Sequence, residues 1–188
     1  GEIPQFSRFI AKKHGIAKSK VHVSLIDAAQ RVLPALKPSA SAKVTKHLAR
    51  LGIDVHLNIQ VHSCEPGKLC MSAGELNTDL IIWTAGSKPV DFFAKNSTTF
   101  TLGRGGRVVV DEQLLAQPSQ SVYVIGDNAD TTYSGMAQTA LHDAIFVTNN
   151  LIRIHNGKQP FNYRPKKPLY VITAGPKWAV VQKGNKIT

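Results

Sequence analysis

The chain has 188 residues, enough for one ordinary domain or two small ones with a real core. Hydrophobic residues make up 43% and charged residues 19%, which excludes a long disordered chain, and no apolar run approaches the roughly 20 residues of a membrane span. Two cysteines exclude a disulfide scaffold, and 23 Lys and Arg against 12 Asp and Glu leave a net charge of +11.

Residues 3 to 14 read as a helix, with Ile3, Phe6, Phe9 and Ile10 on one face, Lys12 and Lys13 opposite, and Gly15 as its stop. Val21 to Ile26 reads as a strand that ends in Asp27. A second helix is expected over 41 to 51, opened by Ser41 and closed by Gly52. From Ile53 to Val61 every odd position is apolar, the pattern of one half-buried strand. Pro66-Gly67 turns it into a partner strand near 69 to 73, and the spacing lets Cys64 and Cys70 face each other across that hairpin. Without secretion signals, two reduced thiols are the expectation. Leu80-Ile81-Ile82-Trp83, apolar throughout, suits a central strand covered on both faces.

A Gly, Pro, Ser, Thr and Asn-rich stretch follows over 86 to 106. Its Gly103-Arg104-Gly105-Gly106-Arg107 lacks the GxGxxG spacing and reads as a loop. Short strands are expected over 107 to 111 and 121 to 127. A helix over 135 to 153 has a stripe of Met136, Ala140, Leu141, Ala144, Ile145 and Leu151. Leu169 to Ile172 and Trp178 to Val181 form a hairpin around Gly175-Pro176. After Asp143 there is no acidic residue but eight basic ones, which suits an anionic partner: a lipid surface, nucleic acid or phosphates. Alternating helices and buried strands make the fold α/β with parallel sheet.

Three strands end in small or acidic residues, at Asp27, at Ala85-Gly86 and at Gly126-Asp127. Ligands of open α/β sheets bind off such carboxyl ends. Small residues let a cofactor approach the backbone, and an acid accepts two hydrogen bonds from a vicinal diol. Asp27 suits an adenosine ribose and repels a ribose phosphate, which favours NADH over NADPH. The helix that opens near Met136-Ala137 offers free amides and a positive dipole end to an anion. The seven histidines show no metal spacing, and no Ser or Cys lies in a nucleophile context, so neither a metal site nor a catalytic side chain is expected.

Ser121-Val-Tyr-Val-Ile-Gly-Asp-Asn-Ala129 followed by Gly135-Met-Ala-Gln-Thr-Ala140 resembles the second flavin-binding segment of the pyridine nucleotide–disulfide oxidoreductases. Leu80 to Pro89 resembles the end of their NADH-binding domain. Within the superfamily the chain is most similar to type II NADH dehydrogenase, the NADH:quinone oxidoreductase family. The resemblance implies incomplete Rossmann-like layers with an antiparallel hairpin at the C-terminal end. It divides the chain into the later part of an NADH-binding domain (1–90), a crossover linker (91–106), the C-terminal part of a FAD-binding domain (107–157) and the start of a C-terminal region (158–188).

By the same resemblance Asp127 holds the ribityl chain of FAD with clearance from Gly126, and amides near Met136 and Ala137 face the flavin pyrimidine edge. Asp27 takes the NADH adenosine ribose, and Ala85-Gly86 borders the nicotinamide. Gln138 and His142 belong to a quinone-side motif, His142 standing where the family has Gln. Neither GxGxxG unit of the family is present, so an internal piece is expected that by itself binds FAD or NADH weakly or not at all and tends to self-associate. The parent enzyme would be cytoplasmic and peripheral on the inner face of the cell membrane, held to that anionic surface through its C-terminal region. The rival readings are a relative with ferredoxin, sulfide or a disulfide as acceptor, and a basic anion- or nucleic-acid-binding module. Nucleic acid is disfavoured by the lack of a stacking platform.

Overall fold

The computed structural model describes residues 1–119 and 121–188. They separate into two units: Gly1–Trp83 with Leu169–Thr188, and Thr84–Pro168.

The first unit is built on a strand–helix–strand crossover. Strand β1 (Val23–Ile26) pairs in parallel with β2 (Ile53–His56), and α2 (Pro38–Arg50) connects them. Ala40, Val44 and Leu48 recur every four residues along α2 and bury one face of it with Val32, Leu36 and Ile53. The helix begins three residues before the expected Ser41 because Pro38 has its φ set for the first turn. Ser41 faces inward instead: its hydroxyl accepts from Arg31 Nη1 at 2.6 Å and donates to the Leu33 carbonyl at 3.4 Å. Helix α1 (Ile3–Lys13) matches its expected span, with Lys12 and Lys13 in the last turn where the dipole favours cations.

The alternating stretch 53–61 is not one strand. Pairing stops after His56, Asn58 takes a left-handed φ of 57°, and the chain re-enters strand as β3 (Val61–Glu65) in another sheet. The odd positions stay the less exposed ones throughout, so the pattern reported the face correctly and the partner wrongly. Strands β3, β4 (Lys68–Met71) and β5 (Gly74–Asn77) form an antiparallel sheet, turned at Gly67 with φ 81°. Cys64 lies opposite Leu69 and Cys70 opposite Ser63. These are neighbouring rungs, so the two free thiols point to opposite faces and do not meet.

Leu80–Trp83 is not a covered central strand. No described strand pairs with it, and Leu80 and Trp83 are 72% and 61% exposed. The C-terminal hairpin forms as expected, from β6 (Tyr170–Thr173) and β7 (Ala179–Lys183), and gains a third strand, β8 (Lys186–Ile187). Its Ala174 and Val180 complete the first unit's core, and Trp178 stacks on His47 of α2 at 4.0 Å.

The second unit has little regular strand. The runs at 107–111 and 121–127 make isolated bridges: Val108 to Leu102 and Ala129, Val110 to Ala116, and Tyr123 to Leu115. The reason is a turn between them, where Asp111 Oδ1 accepts the amides of Gln113 and Leu115 and Leu114 is left-handed. The stretch 91–106 carries a short helix, α3 (Asp91–Lys95), and Phe100, which packs with Val108, Ala116, Val124 and Ala129.

Helix α4 (Ala137–His155) begins two residues after the expected start. Its buried rungs are Thr139, Asp143, Val147 and Asn150, while Leu141, Ile145 and Leu151 of the expected apolar stripe are exposed. Asp143 and Asn150 are buried with hydrogen-bond partners, Val147 is buried by packing, and the buried Thr139 hydroxyl has no partner among the described residues. Among the described residues no helix is long and apolar enough to cross a membrane.

Candidate functional site

The strand-like run Val122–Ile125 ends at Gly126, which turns left-handed with φ 63° and opens a 3-10 helix over Gly126–Asn128. A side chain at 126 would be strained by that φ, and its Cβ would come within 3.0 Å of the Ala140 methyl of α4. Glycine therefore lets turn and helix approach. The Gly126 amide donates to Asp143 Oδ2 at 3.0 Å, and the hydroxyl of Tyr163 donates to Asp143 Oδ1. Burial, followed by this bond to the carboxylate, pushes the Tyr163 phenol well above its ordinary range.

Asp127 is exposed at the tip of the turn. Ser87 Oγ donates to its Oδ2 at 3.4 Å, and the Val90 amide donates to Asn128 Oδ1 at 3.2 Å. The 84–90 loop thus lies against the turn, with Ala85 and Gly86 exposed just before Ser87. Between Asp127 and α4 the chain is folded tightly by Ser134. Its hydroxyl accepts the Thr131 amide at 3.0 Å and donates to the Ala129 carbonyl. Met136 caps α4 in extended conformation with no side-chain capping bond, and Ala137 is exposed. The Thr139 amide donates to the Met136 carbonyl at 2.9 Å, and the amides of Met136 and Ala137 are the ones left to an anion or carbonyl.

Nearby, Arg104 clamps the glycine loop. Its side chain and amide both bind Asp130, whose side chain is only 15% exposed. Burial raises the Asp130 carboxyl, but the bonds and charge from Arg104, helped by Arg107, outweigh it and hold the group below its ordinary range.

A shallow groove of about 340 Å³ lies along α4, lined by His142, Phe146, Phe161, Asn162 and Arg164. His142 Nε2 lies 3.0 Å from the Arg164 carbonyl, and its ring is tilted against Tyr163 at 5.6 Å. Gln138 is exposed one turn earlier. Asn150 fastens the far wall by bonding both the amide and the carbonyl of Phe161 at 2.9 Å.

The second unit therefore brings together Gly126, Asp127, the start of α4 and the loop after Ala85-Gly86. Asp27 lies in the first unit, half-buried, where its Oδ1 accepts the Ala29 amide at 2.9 Å in a local turn. Sequence reasoning missed Asp143, Tyr163 and Ser87. A signal for Asp143 existed: it is the lone acid in the α4 segment, and an acid that such a helix buries has to find partners. Among the described residues no three His, Cys, Asp or Glu side chains are grouped to hold a metal.

The chain is similar to known proteins over most of its length. A type II NADH:quinone oxidoreductase of Haemophilus influenzae is 29% identical over 163 residues, which are 82% of this chain and 36% of that protein. The type II NADH:quinone oxidoreductase NdhA of Mycobacterium tuberculosis is 27% identical over 173 residues, 84% of this chain and 37% of that one. The chain thus spans little more than a third of the length of these relatives. Among solved structures, NDH2 from Plasmodium falciparum in complex with NADH superposes with a TM-score of 0.82 at 16% identity, covering 98% of this chain and 55% of that one. Reduced CoADR-RHD of Bacillus anthracis gives 0.68 at 20% identity, covering 93% and 32%. The fold is therefore that of the Rossmann-type FAD/NAD(P)-binding oxidoreductases. The stretch 10–144, which holds the Gly126 turn and the start of α4, matches the pyridine nucleotide-disulphide oxidoreductase family, and the chain belongs to that family.

Proposed function

We propose that this chain is part of a flavoprotein that transfers a hydride from NADH to FAD and passes the electrons to a quinone. The observation that carries the reading is the Gly126-Asp127 turn fastened to α4 through Asp143. It presents an accessible carboxylate and the amides of Met136 and Ala137 within one unit. The residues fit a flavin. The approach of turn to helix requires Gly126, Asp127 is free to accept from a polyol, and the amides of Met136 and Ala137 suit a pyrimidine carbonyl edge.

The redox chemistry, hydride acceptance and stepwise electron release, is supplied by FAD when bound. The side chains need no nucleophile. Asp127 fixes the sugar chain, and the helix start favours negative charge on the pyrimidine edge. Asp27 takes an adenosine ribose of NADH, Ala85-Gly86 gives the nicotinamide side clearance, and Gln138 and His142 face the acceptor. The rest of the parent protein would supply the pyrophosphate-binding glycine turns, so the 188-residue chain alone holds FAD or NADH weakly or not at all and tends to self-associate. The parent would be cytoplasmic, peripheral on the inner face of the membrane and held to its anionic surface through the C-terminal region.

One observation favours a second reading. His142 lines the groove where the resemblance places Gln, so the acceptor can differ. The same fold serves a ferredoxin reductase and a persulfide reductase among the structural neighbours.

The test is the full-length protein and its Asp127→Ala variant. Wild type should purify yellow and oxidise NADH with a soluble quinone, and the variant should lose flavin. Full-length protein without flavin would overturn the reading. Bound flavin reduced by NADH but not reoxidised by quinone would transfer support to another acceptor.

A further inference from the structure

We propose that Asp143 is a positioning residue. It takes the Gly126 amide on one oxygen and the Tyr163 hydroxyl on the other, and so fixes both the turn that presents Asp127 and the wall of the groove beside it. The proposal deepens the flavin reading and rests on it.

Asp143 is fully buried near the middle of α4. Packing alone does not call for a carboxylate there, since Val147 fills the next rung of the same face. A carboxylate without water needs donors, and these two come from segments far apart in sequence, at 126 and 163. The Gly126 amide sits in a left-handed turn outside any ladder, and Asp143 is its partner. The turn closes on itself through the Ala129 amide, which donates to the Gly126 carbonyl at 3.2 Å. Tyr163 is held a second time through its own amide, which donates to the Glu112 carbonyl at 2.6 Å. The preceding helical residue, His142, meets Tyr163 and Arg164 on the groove side. Two consecutive positions of one helix thus serve the groove and the turn.

The experiment combines hydrogen exchange on the 188-residue chain with flavin affinity in the full-length protein. Asp143→Ala should unprotect the Gly126 amide and weaken flavin binding about tenfold, the scale of leaving one buried donor unpaired. Asp143→Asn can accept from Gly126 through its carbonyl and donate to the Tyr163 oxygen through its amide. It should keep the protection and stay within about threefold of wild type. Tyr163→Phe should weaken flavin binding by about threefold with Gly126 still protected.

Rescue by Asn is the result that a role through charge would not give. The proposal is overturned if folded Asp143→Ala keeps Gly126 protected with unchanged flavin affinity, or if Asp143→Asn is as damaged as Asp143→Ala. If Asp143→Ala does not fold, unchanged flavin affinity in Tyr163→Phe overturns it. Wild-type protein without flavin overturns the flavin reading alone, and exchange at Gly126 still decides whether Asp143 sets the turn.

Discussion

The two units hold together by different means. In residues 1–83 with 169–188 a regular crossover buries Val32, Leu36, Ala40, Val44, Leu48 and Ile53, all aliphatic, and the terminal hairpin adds Ala174 and Val180. In residues 84–168 a small core around Phe100 and Val108 is accompanied by buried, hydrogen-bonded Asp143 and Asn150, and isolated bridges replace continuous strands. The first unit also buries hydrogen-bonded Ser41 and Gln182 beside its larger aliphatic core, and in the second unit Asp143 and Asn150 tie together segments far apart in sequence. A tight turn needs fixed positions more than it needs buried area, and directed bonds supply that.

This contrast can be broken by substitution. The largest effect should come from Leu48→Ala, which empties a packed rung of α2 and should cost about 3 kcal/mol, measured by urea unfolding. Asn150→Ala should cost about 2 kcal/mol by unpairing the Phe161 amide and carbonyl. Asn150→Leu sharpens the comparison because it keeps the volume and loses the bonds. It should cost as much as the alanine variant, and full recovery would show that packing holds the second unit too.

The smallest effect belongs to Asp130. Its folded carboxyl titrates below the ordinary carboxylate range, so its contribution is present above that range and is lost as pH falls below about 4. Asp130→Asn should lower stability by about 1 kcal/mol at neutral pH and flatten the acid limb of the stability curve.

Much of the first unit was legible in the sequence because periodicity reports which side of an element is buried. It does not report what the element pairs with. Residues 53–61 kept one alternation across two sheets, since Asn58 turns the backbone without inverting the faces. Ser41 misled because a capping hydroxyl and an inward-facing one look alike until Pro38 is given its weight.

In the second unit the Gly126-Asp127 turn and the start of α4 were legible from local chemistry, a strand ending in glycine and acid and then a helix. The partners that fix the turn were not, because Tyr163 is 37 residues from Gly126 and nothing local joins them. The stripe expected on α4 failed for the same reason. Hydropathy chose Leu141 and Ile145, whereas Asp143 and Asn150 had bonds to make.

On that helix three of the four buried side chains are polar, while Leu141, Ile145, Leu151 and Ile152 are exposed. A redesign for solubility that writes lysine at Leu141, Ile145 and Ile152 would remove the greasiest rungs without touching an anchor. A consensus-style repair that places leucine at Asp143 or Asn150 would look favourable on any hydropathy scale and would dismantle the turn.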